Sequence, residues 1–304
     1  MNPRHVLLAL AAVVVWGVNF VVIEVGLEGF PPLFFSALRF FFAAVPAIFL
    51  LGRPRVAWRY VVAVGLALGV AKFGLLFIAM DHGVPAGLAS LVLQCQVVFT
   101  LLFAIVVLRE RPRPAQLAGI AIACFGLGLI LVDHQLAAPV GALGLVILAG
   151  ASWGVANVAT RLGKPKDTLR FMVWVSAVAV LPLLVLSLLT EGPSNDLEAL
   201  RTIDLSGVGA LAYLSFASTL FGFGIWGFLL RQYDATTVAP FSLLVPVVGM
   251  AAAWLLRGEQ VGLQQAIAAA LIIGGMACTV VRKRVFRPTA TAPREPALVR
   301  SPTG

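Results

Sequence analysis

The chain has 304 residues, 61% of them hydrophobic and 12% charged, with a mean hydropathy of +1.01. Soluble domains carry roughly 25% charged residues, so a water-soluble core is excluded. The net charge of +9 would fit nucleic acid in a soluble protein, but the basic residues are sorted by loop, and that reading fails on their pattern.

A span needs about 20 apolar residues to cross ~30 Å of hydrocarbon. Windows of that length recur at about 6–27, 32–51, 57–80, 84–108, 114–132, 140–160, 168–190, 206–230, 235–256 and 261–281. The first resembles a signal peptide in its basic start, but its apolar run is too long and further spans follow. Five spans fall on each side of the midpoint, and because five is odd, the second half enters the bilayer from the opposite side. The expected fold is an all-α integral membrane protein of ten transmembrane helices in two inverted five-helix repeats, 1–135 and 136–282. Such repeats are a recurring plan of secondary transporters.

Arg4, then Arg53, Arg55 and Arg59, then Arg109, Arg111 and Arg113, then Arg161, Lys164, Lys166 and Arg170, then Arg231 and the tail from Arg282 fill every second connection. The alternate connections hold only Arg201 and Arg257. The positive-inside rule makes the basic set cytoplasmic, with both termini inside. Residues 283–304 are expected to form a disordered basic tail against anionic headgroups. Cys95, Cys124 and Cys278 all lie in spans without metal or redox spacing and read as packing residues; no cofactor or metal is expected.

The repeat is also legible in residues. Trp16-Gly17-Val18 in the first span echoes Trp153-Gly154-Val155 in the sixth, followed by Asn19 and Asn157 respectively. Likewise Glu110 and Gln116 after the fourth span echo Glu259 and Gln265 after the ninth. Gly65-x-x-x-Gly69 and Gly150-x-x-x-Gly154 are spacings that allow close helix approach.

Trp16 to Phe20, Pro31-Pro32 before Leu38-Arg39-Phe40, the run Ala86 to Gln94, Gly222 to Gly227, and Val238 to Gly249 are similar to the EamA-type drug/metabolite transporters, over about Ala9 to Ala277. Within that family the likeness is greatest to bacterial exporters of O-acetylserine and cysteine. The resemblance implies a multi-pass protein of the bacterial cell membrane, a central cavity between the halves and export of small amphiphilic metabolites. Many members have a proline in the middle of the fourth span where this chain has Gln96, whereas Pro246 keeps it in the ninth. A helix break at Pro246 alone is therefore expected.

Ionisable groups inside spans are costly and are functional candidates by default. Arg39 and Lys72 lie roughly 10 and 12 Å inside the outer ends of their spans at helical rise, and Glu24 lies near the outer end of the first. The expected arrangement is a charge cluster or gate in which Glu24 offsets Arg39 or Lys72. The cations could instead meet a substrate carboxylate, Glu24 could exchange a proton, or all three could simply lock helices together. Neutral contacts for a zwitterion are sought near mid-depth. Asn19, Ser90 and Gln94 qualify, with Gly87, Ser90 and Gln94 sharing a face at helical spacing and Gln96 assigned to helix packing. Trp16, Trp153 and Asn157 are candidate cavity walls. Ser218 and Trp226 lie on a polar stripe of the eighth span, where Trp226 reads as clamp or interface anchor. Ser242 completes the candidate set.

The sequence thus points to a secondary transporter exporting amino-acid metabolites by alternating access, coupled to a proton or driven by the substrate gradient. Its partners would be a small amino acid or derivative and the lipid bilayer, not nucleic acid. Other amino acids, drugs or metabolites, in either direction, are the alternative cargo. A membrane enzyme and a channel are the rival classes. No midplane pair of carboxylates, His-Glu-x-x-His, Gly-x-Ser-x-Gly or phosphate loop supports an enzyme.

Overall fold

The computed structural model describes residues 1–133 and 138–280; the tail expected over 283–304, and the boundary expected at 135/136, lie outside them. Ten long helices follow one another: α1 (Pro3–Leu27), α2 (Pro32–Leu51), α3 (Trp58–Asp81), α4 (Ala86–Leu108), α5 (Pro114–Leu131), α6 (Val140–Gly163), α7 (Thr168–Thr190), α8 (Leu205–Gln232), α9 (Ala239–Arg257) and α10 (Leu263–Val280). There is no strand among the described residues. There, nine helices, α1 to α9, are long and apolar enough to cross a membrane; α10 is apolar but shorter. A short helix, Pro193–Arg201, connects α7 to α8.

The helix starts follow from local chemistry. Asn2, Asp167 and Asp204 accept hydrogen bonds from first-turn amides of α1, α7 and α8, satisfying donors that a helix leaves unpaired. Pro3, Pro32 and Pro114 stand in the first turns of α1, α2 and α5, where a missing N–H costs nothing. Gly258 ends α9 at φ +69°, a left-handed conformation that glycine adopts without strain.

Packing mirrors itself between the two halves. The first helix of each half lies along the third and fourth of the other: α1 on α8 and α9, α6 on α3 and α4. Between them α2 packs on α7, and α5 on α10. Glycines permit the close approaches. Gly65 and Gly69 of α3 abut Val178 and Ala179 of α7, while Gly150 and Gly154 of α6 abut Cys95 and Phe99 of α4. Both expected small-residue spacings therefore serve helix contacts, which in lipid depend on such close packing.

The irregular turns also fall in matching places. The third helix of each half carries a π-helical stretch, Gly65–Lys72 in α3 and Tyr213–Phe221 in α8. The fourth of each carries a 3-10 stretch, Leu93–Cys95 in α4 and Ala239–Leu244 in α9. Pro46 and Pro182 sit at the same distance from the starts of α2 and α7. One expectation is corrected here. The break does not belong to Pro246 alone, because α4 tightens without a proline, where Gly150 brings α6 against Cys95 and the Gln96 amide. Pro246 itself lies in the first turn of the α-helical stretch Val245–Arg257, after the 3-10 segment, where proline is tolerated.

Candidate functional site

Successive helices run antiparallel, giving an N-face that carries the chain start and a far face that carries Leu27, Ala86 and Arg257. The far face is closed. Arg257 Nε donates to Glu24 Oε1 at 2.9 Å and its Nη2 to Glu28 Oε1 at 2.7 Å, tying α9 to the end of α1. Glu259 Oε2 accepts the Gly87 amide at 3.0 Å, tying the segment after α9 to the head of α4. Ser90 sits where α4 crosses α9, against Gly249, and donates to the Gly87 carbonyl at 2.7 Å. Burial raises the Glu259 carboxyl above its usual value, and nearby Glu24 adds to the rise, while the Gly87 hydrogen bond and Arg257 act against it.

Toward the N-face α4 leaves α9 for α6, and the space that opens there is walled by α4, α5, α6 and α10. The far half of α4 packs on α9, but its other half, from Gln96 onward, packs chiefly on α6. A cavity of about 450 Å³ opens there, with Gln96, Thr100, Glu110, Arg113, Asn157 and Arg161 among its walls. Asn157 Nδ2 donates to Gln96 Oε1 at 3.0 Å and to Thr100 Oγ1 at 2.9 Å. At the mouth Arg161 pairs with Glu110. This pair joins α6 to α4 as Arg257 and Glu24 join α9 to α1, with the charges exchanged between helices.

Between these ends each echoed tryptophan meets the π-helical stretch of the opposite half. Trp16 Nε1 donates to the Ser218 carbonyl at 3.0 Å, and its ring lies 5.1 Å from that of Trp226. The Trp153 ring lies 4.8 Å from Lys72 Nζ, at the end of the α3 stretch. A π-helical turn spaces backbone hydrogen bonds differently from its neighbours, and in α8 one of its carbonyls is taken by an indole rather than left bare in an apolar medium. Trp226 thus packs at a tilt against Trp16 inside the protein, partly buried.

Arg39 and Lys72 are 1% and 5% exposed, so both are buried cations. Arg39 Nη2 donates to Thr219 Oγ1 at 3.2 Å, and its Nε and Nη1 have no partner. The guanidinium lies 4.2 Å from the Phe73 ring centre, and Lys72 Nζ 3.2 Å from the same centre. No carboxylate pairs with either cation among the described residues. The expected offset by Glu24 is therefore corrected. Glu24 belongs to the Arg257 pair at the far face, because α1 lies along α8 and α9 rather than along α2.

The remaining candidates separate by helix. Asn19 is buried on α1 with its Oδ1 unpartnered. Ser242 donates to the Ala239 carbonyl at 2.7 Å within the 3-10 stretch of α9. Gln94 is buried. Gln96 faces Thr100 and bonds Asn157 of the neighbouring α6, as expected of it, but it also lines the cavity, a place expected for Gln94; the 3-10 stretch at Leu93–Cys95 changes the angular step between the two glutamines. Sequence reasoning also missed Arg257 and Glu259 as contacts closing the far face, and Glu110 and Arg161 as the pair at the cavity mouth; only the Glu110/Glu259 echo pointed to two of them.

The fold and this crevice, closed at one face and open at the other, define a polytopic helical membrane protein with a polar interior. The EamA-like transporter family model matches residues 3–132 and, separately, 140–281. Similar proteins are a probable amino-acid metabolite efflux pump of Escherichia coli strain K12, 42% identical over 91% of this chain and 94% of that one, and another so described from Salmonella typhimurium strain LT2, 42% identical over 94% and 98%. A solved structure described as "Crystal structure of protein" matches with a TM-score of 0.58 at 20% identity, over 92% of this chain and 99% of that one, a likeness that speaks for the fold alone. The chain belongs to the EamA-like transporter family and is a multi-pass protein of the bacterial inner membrane.

Proposed function

We propose that this protein exports small amino-acid metabolites, of the O-acetylserine and cysteine type, by alternating access. In this reading the ten helices all span, 1–135 and 136–282 are inverted repeats, both termini are cytoplasmic, and the N-face cavity is the cytoplasmic entrance. The observation that carries it is the change of partner along α4, which packs on α9 at the far face and on α6 at the N-face, where a cavity opens between α4, α5, α6 and α10. Rocking of α4 between those partners would exchange which end is open. Support for two halves comes from the paired π-helical and 3-10 stretches and the two separate family matches. The 42% identical relatives, described as efflux pumps for amino-acid metabolites, support the cargo class. Glu259, half-buried at the closed face, is the group we assign to proton coupling.

The test is uptake into inside-out vesicles of O-acetylserine, cysteine, threonine and aromatic amino acids. Saturable uptake of the first two, raised by an imposed proton gradient, is expected. Uptake of none of them overturns the cargo assignment, and flux that does not saturate replaces the carrier by a channel.

A further inference from the structure

Two cations are buried around one aromatic ring without a carboxylate beside them. Because Arg39 and Lys72 both lie against Phe73, their charges are no farther apart than the two ring distances together. Such an arrangement is costly in a membrane interior, where a charge is normally paired or solvated. Aromatic faces offset part of that cost but accept no hydrogen bond of ordinary strength.

The unsatisfied polar atoms gather on the same helices. Among the described residues seven buried side-chain atoms lack a hydrogen-bond partner. Arg39 Nε and Nη1, Ser36 Oγ, Ser215 Oγ and Asn19 Oδ1 belong to α1, α2 and α8. Ser36 stands one turn before Arg39, and Ser215 one turn before Thr219, the residue that Arg39 holds. Both serines therefore lie on the far-face side of that bond, in one layer. Lys72 extends the group to α3 and, through Trp153, to α6.

We infer that Arg39 and Lys72 form the anion-binding end of the transport site and that the cargo is recognised by a carboxylate. This rests on the transporter reading above and names which part of the cargo the site takes. Arg39 offers two free donor nitrogens, fixed in direction by Thr219 and by the rings of Phe40, Phe73 and Phe77. Lys72 Nζ, held between the rings of Phe73 and Trp153, supplies a second positive charge once an anion stands beside it. A species with a free carboxylate gains from both charges. Its amide or ester, which carries an ammonium and no anion, adds a third positive charge to two that are already unpaired.

The experiment uses the full chain in detergent and three probes that differ in charge: S-methylcysteine, its N-acetyl form and its carboxamide. Binding is read by intrinsic tryptophan fluorescence, since Trp153 lies beside Lys72. Both carboxylates are expected to bind roughly tenfold or more tighter than the amide, the size of a charge-assisted hydrogen bond. Lys72→Met and Arg39→Gln are expected to bring that ratio near one, and Lys72→Arg to keep it. Circular dichroism and size-exclusion profiles check folding; should Arg39→Gln not fold, the Lys72 variants decide. Equal binding of acid and amide by the wild type, no binding of any probe, or an unchanged ratio in Lys72→Met overturns the inference. Acid preference without flux in proteoliposomes leaves the anion site standing and overturns the transporter reading instead.

Discussion

Glu259, just beyond α9, holds the Gly87 amide at the head of α4 at 3.0 Å, across a sequence separation of 172 residues. It places a half-buried carboxyl at the positive end of a helix and beside a second carboxylate, Glu24. Burial and that neighbour raise its pKa above the ordinary value of 4.5. A raised carboxyl favours the folded state most when protonated, so its contribution is full below 4.5 and is lost as pH rises through the higher folded value. In Glu259→Gln the group is neutral throughout. The difference in thermal midpoint, wild type minus variant, is expected to fall as pH rises across that window, measured by melting in detergent from pH 4 upward; a pH-independent difference refutes it.

Arg257 joins Glu24 and Glu28 at the end of α1. These partly exposed pairs are each worth about 0.2–1 kcal/mol, enough to bias an opening equilibrium without deciding it. Arg257→Ala is expected to raise labelling of a cysteine placed at Ser90, by an impermeant thiol reagent added from the far side, about two- to fivefold. Cys95, Cys124 and Cys278 are replaced by serine for this measurement. Unchanged labelling would show that Arg257 does not hold the closed end.

Asn157 bridges Gln96 and Thr100 inside the cavity. Replacing it with leucine leaves two partners short of a donor, at about 1–3 kcal/mol for each group that stays dry. The expected outcome in inside-out vesicles is a KM raised roughly threefold or more with the protein still folded. A wild-type KM would place the cargo path elsewhere.

Gly249 meets Ser90 so closely that an added Cβ would stand 2.6 Å from its Oγ. Gly249→Val is therefore expected to force α9 from α4 and lower stability by about 1–3 kcal/mol, the usual cost of overpacking. Gly128 and Gly144 have no neighbour at that range, and alanine at either is expected to leave the melting temperature nearly unchanged. Equal loss at all three positions would count against close packing at the crossing.

Much of the helical frame was readable because its signals are local. Apolar length gave the positions of α1 to α9 to within a few residues. The tryptophan echo led to two rings that the structure places against matching π-helical stretches. Those stretches were not legible, since no residue type demands them; nor was the tightened turn of α4, which carries no proline.

The sequence singled out unusual residues by type and depth but not which of them meet. Arg39 and Lys72 announced themselves as charges inside apolar runs, and Glu24 looked like their counter-ion because it is close in sequence and in expected depth. Its partner proved to be Arg257, 233 residues away. Hydropathy, charge sorting and helical period belong to each segment by itself, so the sequence alone determined the spans and the oddness of the buried cations. Which helices lie side by side is another matter, because lipid and a neighbouring helix are about equally apolar and leave little hydrophobic signal between them. Glycine contacts and interhelical hydrogen bonds make that choice, and they exist only once α1 has settled on α9 and α6 on α4.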